Sequence, residues 1–152
     1  MKRADGKLIS WASVVMGLTL AFPGVACAES ICKNQVNVRS GPSLQSDVIY
    51  QAPLGYPIKI EEKRKDWVLF RDWENNMGWA HRSIVSVIDT VVLLADNVNV
   101  RSSAGLKYDV VGKAMRGQIY KVISRSDEWV QLAYYANDEP FGWVRSDLVF
   151  GD

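Results

Sequence analysis

Val36-Asn37-Val38-Arg39-Ser40 recurs 62 residues further along the chain as Val98-Asn99-Val100-Arg101-Ser102. Three more pairs share this offset, namely Val48 and Val110, Gly55 and Gly117, and Trp67 and Trp129. Later in each copy the offset becomes 64, because Gly78-Trp79 matches Gly142-Trp143. Matches spread over a whole domain length indicate a duplication and not a chance pentapeptide. The two extra residues of the second copy lie between matched segments, which is typical of a longer loop.

Within each copy, apolar residues alternate in short runs that are bounded by turn formers. In the first copy, Ser40-Gly41-Pro42-Ser43 and Pro53-Leu54-Gly55 are two of the turns. No window shows a sustained helical period, and about five short strands in roughly 50 residues predict a small β-barrel or sandwich. The alternation assigns to the two cores Val36, Val38, Ile58, Ile60, Val68 and Phe70 in the first copy, and Val98, Val100, Tyr120, Val122, Val130, Leu132 and Val144 in the second.

The first copy begins with Val36-Asn37-Val38-Arg39-Ser40-Gly41-Pro42-Ser43 and closes with Gly78-Trp79. Together with Val48-Ile49, Gly55 and Trp67-Val68, these segments resemble the bacterial SH3 (SH3b) domain family. The segment from Arg71-Asp72-Trp73 to Gly78-Trp79-Ala80-His81 resembles the subgroup common in exported proteobacterial proteins. The resemblance implies an all-β chain of two tandem SH3-like barrels, each with five to seven strands. For the family it also implies recognition of the cell wall or of peptides, although one fold serves many ligands.

Residues 1–28 have the pattern of a secretory signal peptide. Lys2, Arg3 and Lys7 precede an uncharged run, and Ala26-Cys27-Ala28 supplies an Ala-x-Ala cleavage pattern. The run is shorter than the roughly 20 residues of a membrane-spanning helix. A retained membrane anchor and a lipidated Cys27 are the alternatives. We expect an exported protein, periplasmic or associated with the cell envelope, that begins at Glu29 and meets the membrane only if Cys27 is lipidated.

Cleavage leaves a first barrel at residues 29–86, a short apolar linker strand at residues 87–96 and a second barrel at residues 97–152. The linker contains Val91-Val92-Leu93-Leu94, an apolar run that is unlike a flexible tether. Because such a run needs burial, we expect a strand that packs at the junction and holds the two barrels in one relative orientation.

Composition and residue spacing argue against nucleic-acid binding and against catalysis. The formal net charge is only +1, whereas binding to a phosphate backbone needs a concentrated basic surface. A thiol nucleophile would need Cys32 beside His81, yet Cys32 precedes the first strand and the second copy contains neither residue type. These two residues also fall short of the three or four ligands of a zinc site. We therefore expect no enzyme activity, cofactor or metal, and an odd thiol at Cys32 that either joins two chains or lies against the first strand.

The tryptophans are assigned to a face by the alternation of side chains along a strand. Val130, Leu132 and Val144 are predicted to point into the core, so their neighbours point outward. Outward aromatic rings can anchor peptides or stack on sugars. The alternative is that the rings cover the open end of a barrel or pack between the domains. The candidate ligand-binding residues are Trp67, Trp79 and His81 in the first copy, and Trp129, Gln131, Trp143 and Arg145 in the second.

Two functions fit these observations. The first is a non-catalytic envelope-binding or scaffolding module that recognises peptidoglycan, its stem peptides or an envelope protein. The second is a structural or assembly protein that self-associates, with the tryptophan faces turned inward. The repeat, the tryptophans and the apolar run are compatible with both.

Overall fold

The structure is a computed structural model of the chain, and it describes residues 29–151. The predicted signal peptide, including Cys27, lies outside these residues. The described part consists of β-strands joined by short loops and of two 3₁₀ turns, Arg82–Ile84 and Ser146–Leu148. The strands form two seven-stranded sheets, one for each copy of the repeat. This confirms the predicted all-β fold of two tandem SH3-like barrels.

The two sheets have the same topology. The order is β3-β2-β6-β5-β4-β1-β7 in the first and β10-β9-β13-β12-β11-β8-β14 in the second, and neighbouring strands are antiparallel. The first sheet contains β1 (Glu29–Ile31), β2 (Val36–Arg39), β3 (Val48–Ala52), β4 (Pro57–Arg64), β5 (Trp67–Arg71), β6 (Met77–His81) and β7 (Val85–Ser86). The second contains β8 (Thr90–Leu93), β9 (Val98–Arg101), β10 (Val110–Ala114), β11 (Ile119–Ser126), β12 (Trp129–Ala133), β13 (Pro140–Arg145) and β14 (Val149–Phe150).

Each barrel buries its own core on one side of the alternating strands. In β5, Val68 and Phe70 are fully buried, whereas the residues beside them are only half-buried. Every residue that the alternation assigned to a core is either buried or packed against a core. Three of them, Val36, Ile60 and Val122, are half-buried at the edge. Ile31, Ala52, Tyr56 and Ala80 in the first barrel, and Val91, Leu93, Ala114 and Val149 in the second, complete the cores.

The apolar run at residues 91–94 belongs to the second barrel and not to a separate linker. Thr90–Leu93 is a strand, and it pairs with β11 on one side and with β14 on the other. Val91 and Leu93 are fully buried in the second core. The second barrel therefore begins at Thr90 rather than at residue 97, and only residues 87–89 connect the last strand of the first barrel to it.

The strand β8 also borders the first barrel. It lies beside β4, and Val92, which points away from the second core, is buried. Ile119, the partner of Val92 in the sheet, packs against the core of the first barrel. The junction between the barrels is thus lined with apolar side chains.

Two further contacts cross the junction. The guanidinium of Arg116 lies 4.7 Å from the centre of the Trp73 ring. The Tyr135 ring lies so close to Gly55 that a Cβ at Gly55 would come within 2.6 Å of it. Trp73 and Tyr135 are equivalent in the repeat, and Gly55 is equivalent to Gly117, the neighbour of Arg116. The two contacts are nevertheless not equivalent, because nothing would lie within 4 Å of a Cβ at Gly117.

Candidate ligand-binding grooves

Strand pairing places four of the candidate residues at the outer ends of two hairpins. Trp67 lies opposite His81 in the β5–β6 pair, and Trp129 lies opposite Arg145 in the β12–β13 pair. The rings of Trp67 and His81 meet edge to face, with their centroids 5.6 Å apart. All four side chains keep part of their surface exposed, as the alternation predicts for outward positions.

The other three candidates share these outer faces but offer less open surface. Trp143 lies opposite Gln131, and both are half-buried. Trp79 is only 8% exposed. The guanidinium of Arg64 lies over its ring at 5.4 Å from the centroid, which accounts for part of this burial. Trp79 therefore presents little open ring to a ligand.

A groove of about 300 Å³ opens beside Trp67 and His81, and we call it the first groove. One wall comes from β2 and the segment before it, a second from the loop after β2, and a third from the ends of β5 and β6 with the adjoining 3₁₀ turn. The lining residues are Lys33, Asn34, Gln35, Val36, Asn37, Arg39, Leu44, Trp67, His81 and Ile84.

The second groove, of about 310 Å³, lies at the equivalent place in the second barrel. Every residue that lines it is the repeat equivalent of a residue that lines the first groove. The Val, Asn, Arg, Leu and Trp positions are identical in the two grooves. The lining residues are Ala95, Asp96, Asn97, Val98, Asn99, Arg101, Leu106, Trp129, Arg145 and Leu148.

Arg39 and its repeat equivalent Arg101 hold one rim of each groove in place. Arg39 donates a hydrogen bond of 2.8 Å to the carbonyl of Ser46, and Arg101 donates one of 2.8 Å to the carbonyl of Tyr108. Each bond ties the loop after β2 or β9 back to its strand. The two loops carry Leu44 and Leu106, which are 69% and 68% exposed. A charged donor on a carbonyl is among the stronger protein hydrogen bonds, so the exposed leucines are held in place at the rims.

The grooves combine an apolar wall with polar and basic groups. In the first groove, His81 accompanies Lys33, and its Nδ1 is hydrogen-bonded to the hydroxyl of Ser83 at 2.8 Å. In the second, the guanidinium of Arg145 is held by both carboxylate oxygens of Asp147 at 3.0 and 2.7 Å. Basic residues outnumber acidic residues in both linings. An aromatic wall beside a basic group suits an extended peptide that carries a carboxylate.

The first barrel also contains a polar cluster that the sequence analysis missed. Asp72 is buried, and its Oδ1 accepts hydrogen bonds from the backbone N–H groups of Glu74 and Asn76, both at 2.9 Å. Its Oδ2 accepts from the hydroxyls of Tyr50 and Tyr56 at 3.0 and 3.1 Å. Burial, and after it the negative charge of Asp72, raises the pKa of both tyrosines far above the ordinary value. This cluster organises the loop between β5 and β6.

The second barrel has aromatic packing where the first has this cluster. Tyr134 stands at the position of Asp72 and Gly112 at that of Tyr50. The Phe141 ring fills the space beside Gly112 and stacks on Tyr120 with the ring centroids 5.5 Å apart. The two barrels have therefore diverged on this side, while their grooves have kept the same lining positions.

Among residues 29–151, no three His, Cys, Asp or Glu side chains come together in a way that could hold a metal ion. Over the same residues, no helix is long and apolar enough to cross a membrane. Cys32 is a half-buried free thiol whose Sγ donates a weak hydrogen bond to the carbonyl of Ser83 at 3.9 Å. Pairing of Cys32 between two chains stays a prediction.

Several groove residues were absent from the candidates that the sequence analysis named. These are the exposed Asn37 and Asn99, the rim leucines, and the two arginines that hold the loops. Their signal in the sequence is identity between the copies at exposed positions. Asn99 and Leu106 face solvent, so packing of a core does not require the same residue in both barrels.

Comparisons with known proteins agree with the fold. The family model for the bacterial SH3 domain matches the chain twice, at residues 34–86 and 96–150. The Bacillus subtilis (strain 168) protein YrvJ, which bears the name of an N-acetylmuramoyl-L-alanine amidase, is 28% identical over 142 residues. The match covers 84% of this chain but 27% of YrvJ, so the chain spans about a quarter of the length of that relative.

Two solved structures from Trichomonas vaginalis show a more remote similarity. NlpC2 is 14% identical with a TM-score of 0.35, and the match covers 83% of this chain and 48% of NlpC2. NlpC1 is 13% identical with a TM-score of 0.34, and the match covers 91% of this chain and 50% of NlpC1.

Proposed function

This chain belongs to the bacterial SH3 domain family, and we propose that it is a non-catalytic binding module of the cell envelope whose binding sites are the first and second grooves. The duplicated lining of the grooves is the observation that supports this function. Five of the ten equivalent lining positions carry the same residue in both grooves, whereas the barrels have diverged around Asp72 and Tyr134. A shared binding task accounts for this pattern better than packing does.

The chemistry of the grooves favours a peptide of peptidoglycan as the ligand. Trp67 and Trp129 offer flat apolar walls, and Lys33, His81 and Arg145 add basic groups. Peptides with free carboxylates can satisfy both kinds of group at once. The name of the relative YrvJ describes an enzyme that acts where a muramoyl sugar joins L-alanine. We therefore propose the stem peptides of peptidoglycan as the ligand.

The arrangement of Cys32 and His81 supports a role in binding rather than catalysis. In a thiol–histidine pair, the thiol passes its proton to the imidazole through a direct hydrogen bond. Here the thiol is directed to the carbonyl of Ser83, and the Nδ1 of His81 is bound to the hydroxyl of the same residue. The two side chains thus contact different atoms of Ser83 instead of each other. Export to the periplasm or to a site associated with the cell envelope, through cleavage after residue 28, is part of the proposal.

Retention of the purified protein on isolated peptidoglycan sacculi tests this function. Trp67→Ala and Trp129→Ala should each weaken binding by about 2 kcal/mol or more at the groove concerned, if these residues are hot spots. Both tryptophans are half-buried, so the melting temperature of each variant is measured in parallel. Leu44→Asp combined with Leu106→Asp is the better variant for folding, because both leucines are largely exposed. The new carboxylates should repel an acidic peptide.

Val87→Asp provides the matched control, because Val87 is 83% exposed and lies outside both grooves. It should be retained on sacculi like the unmodified protein. Unchanged retention of the double leucine variant would show that the grooves are not the binding sites. If the unmodified protein is not retained at all, the structural role, with self-association, becomes the better account.

A further inference from the structure

The two grooves are matched as a pair. They have volumes of about 300 and 310 Å³ and identical Val, Asn, Arg, Leu and Trp positions. The other five positions differ, and among them Lys33 is matched by Ala95, Asn34 by Asp96 and His81 by Arg145. His81 in the first groove and Arg145 in the second are both basic residues, so each groove has a basic residue opposite its tryptophan. Grooves with the same apolar wall and the same basic corner can take the same ligand.

The junction leaves both grooves open. The residues that join the barrels are Gly55, Trp73, Arg116, Ile119 and Tyr135, and none of them lines either groove. The junction also limits relative movement of the barrels, because apolar packing and the contacts of Trp73 and Tyr135 supplement a connection of residues 87–89. The spacing between the grooves is therefore set by the fold.

We propose that both grooves bind at the same time, so that the protein is a bivalent ligand of a polymer that repeats one acidic peptide many times. This proposal rests on the function proposed above. A second binding event within one complex depends on an effective concentration, which is highest when the spacing is fixed at a length that matches the ligand. Two weak sites in a docked pair then hold a polymer about 10²- to 10⁴-fold more tightly than either site alone. A soluble fragment that carries one peptide occupies one groove only, so its affinity is not increased by the second groove.

Single-groove variants separate bivalent binding from independent binding. Leu44→Asp blocks the first groove, Leu106→Asp blocks the second, and Val87→Asp is the control for an added charge. Two probes are used: intact sacculi, which present many linked peptides, and the soluble disaccharide-peptides that a muramidase releases from them. Dissociation constants are measured for both probes, and calorimetry gives the stoichiometry with the soluble probe.

Bivalent binding predicts that each single variant falls back to the affinity of one groove and binds sacculi about 10²-fold or more weakly than the unmodified protein. The double variant lacks both grooves and should not be retained on sacculi. The soluble probe should bind to the unmodified protein at two sites and to each single variant at one site, with little change in affinity. A loss of only about twofold on sacculi in each single variant would overturn bivalency and leave the proposed function standing. The same holds if one variant abolishes binding and the other has no effect. Unchanged binding of the double variant would instead refute the grooves as sites.

Discussion

The buried carboxylate of Asp72 offers a direct test of the packing of the first barrel. Asp72→Ala removes the acceptor of five hydrogen bonds: two from the backbone of the β5–β6 loop, one from the side-chain amide of Asn76, and two from the hydroxyls of Tyr50 and Tyr56. The loop residues Glu74 and Asn76 are exposed, so water can replace their lost bonds. The side chain of Tyr56 is buried, and its hydroxyl loses a charged partner. The cost therefore falls mainly on the tyrosines.

The expected loss of stability follows from these contacts. A buried hydroxyl left without a partner costs about 1–3 kcal/mol, and bonds to a charged acceptor lie at the upper end of the range. With one buried tyrosine, one half-buried tyrosine and two solvated backbone groups, we expect Asp72→Ala to destabilise the first barrel by about 3 kcal/mol. For a domain of this size, each 1 kcal/mol lowers the melting temperature by about 4–8 °C.

The tyrosines also give the cluster a distinct response to alkaline pH. Burial and the charge of Asp72 raise the pKa of Tyr50 and Tyr56 in the folded state. The unfolded chain therefore loses these protons first, near the ordinary tyrosine pKa of about 10. The contribution of the two tyrosines to stability is fully present below that pH and is lost as the pH rises further. In Asp72→Ala burial still raises both pKa values but the charge no longer does, so the decline above about pH 10 should end at a lower pH and the total loss should be smaller.

Urea unfolding followed by circular dichroism measures the free energy, and hydrogen exchange assigns the change to the first barrel. Asp47→Ala is the matched control, because the side chain of Asp47 is exposed, and it should stay within about 0.5 kcal/mol of the unmodified protein. If Asp72→Ala unfolds like this control and keeps the same alkaline response, Asp72 does not stabilise the barrel and the reasoning fails.

Three further predictions concern the junction, the core and the N-terminus. Gly55 and Gly117 both have a positive φ, but only Gly55 lies against Tyr135. Calorimetry of Gly55→Ala should therefore show two transitions, because the barrels melt separately. Gly117→Ala should keep a single transition, at a lower temperature. Equal effects of the two substitutions would contradict the contact at the junction. Phe70→Ala should cost about 3–5 kcal/mol in urea unfolding, because the ring is fully buried, and an unchanged midpoint would contradict its place in the core. The intact mass of the exported protein should correspond to a chain that begins at Glu29. A mass that retains an acylated Cys27 would instead indicate a lipoprotein.

Local patterns in the sequence were sufficient to predict the strands, the faces and the duplication. The alternation Trp67-Val68-Leu69-Phe70 identifies the inward residues because the side-chain period of a strand is two in any barrel. The recurrence of one motif at a constant offset shows two copies of one fold, since both copies must satisfy the same packing. These features depend on residues close together in the chain or on a direct match between the copies.

The tertiary structure alone decided which strand joins which sheet and what covers each outward side chain. The strand β8 pairs with β14, more than fifty residues away in the chain, and this pairing assigns it to the second barrel. Arg64 partly closes off Trp79, whereas Trp67 keeps an open side in the first groove, although the alternation treats the two rings alike. Asp72 meets Tyr50 and Tyr56 only after three separate segments have folded together. Alternation determines the face of a side chain, but long-range packing determines whether that face is open to a ligand.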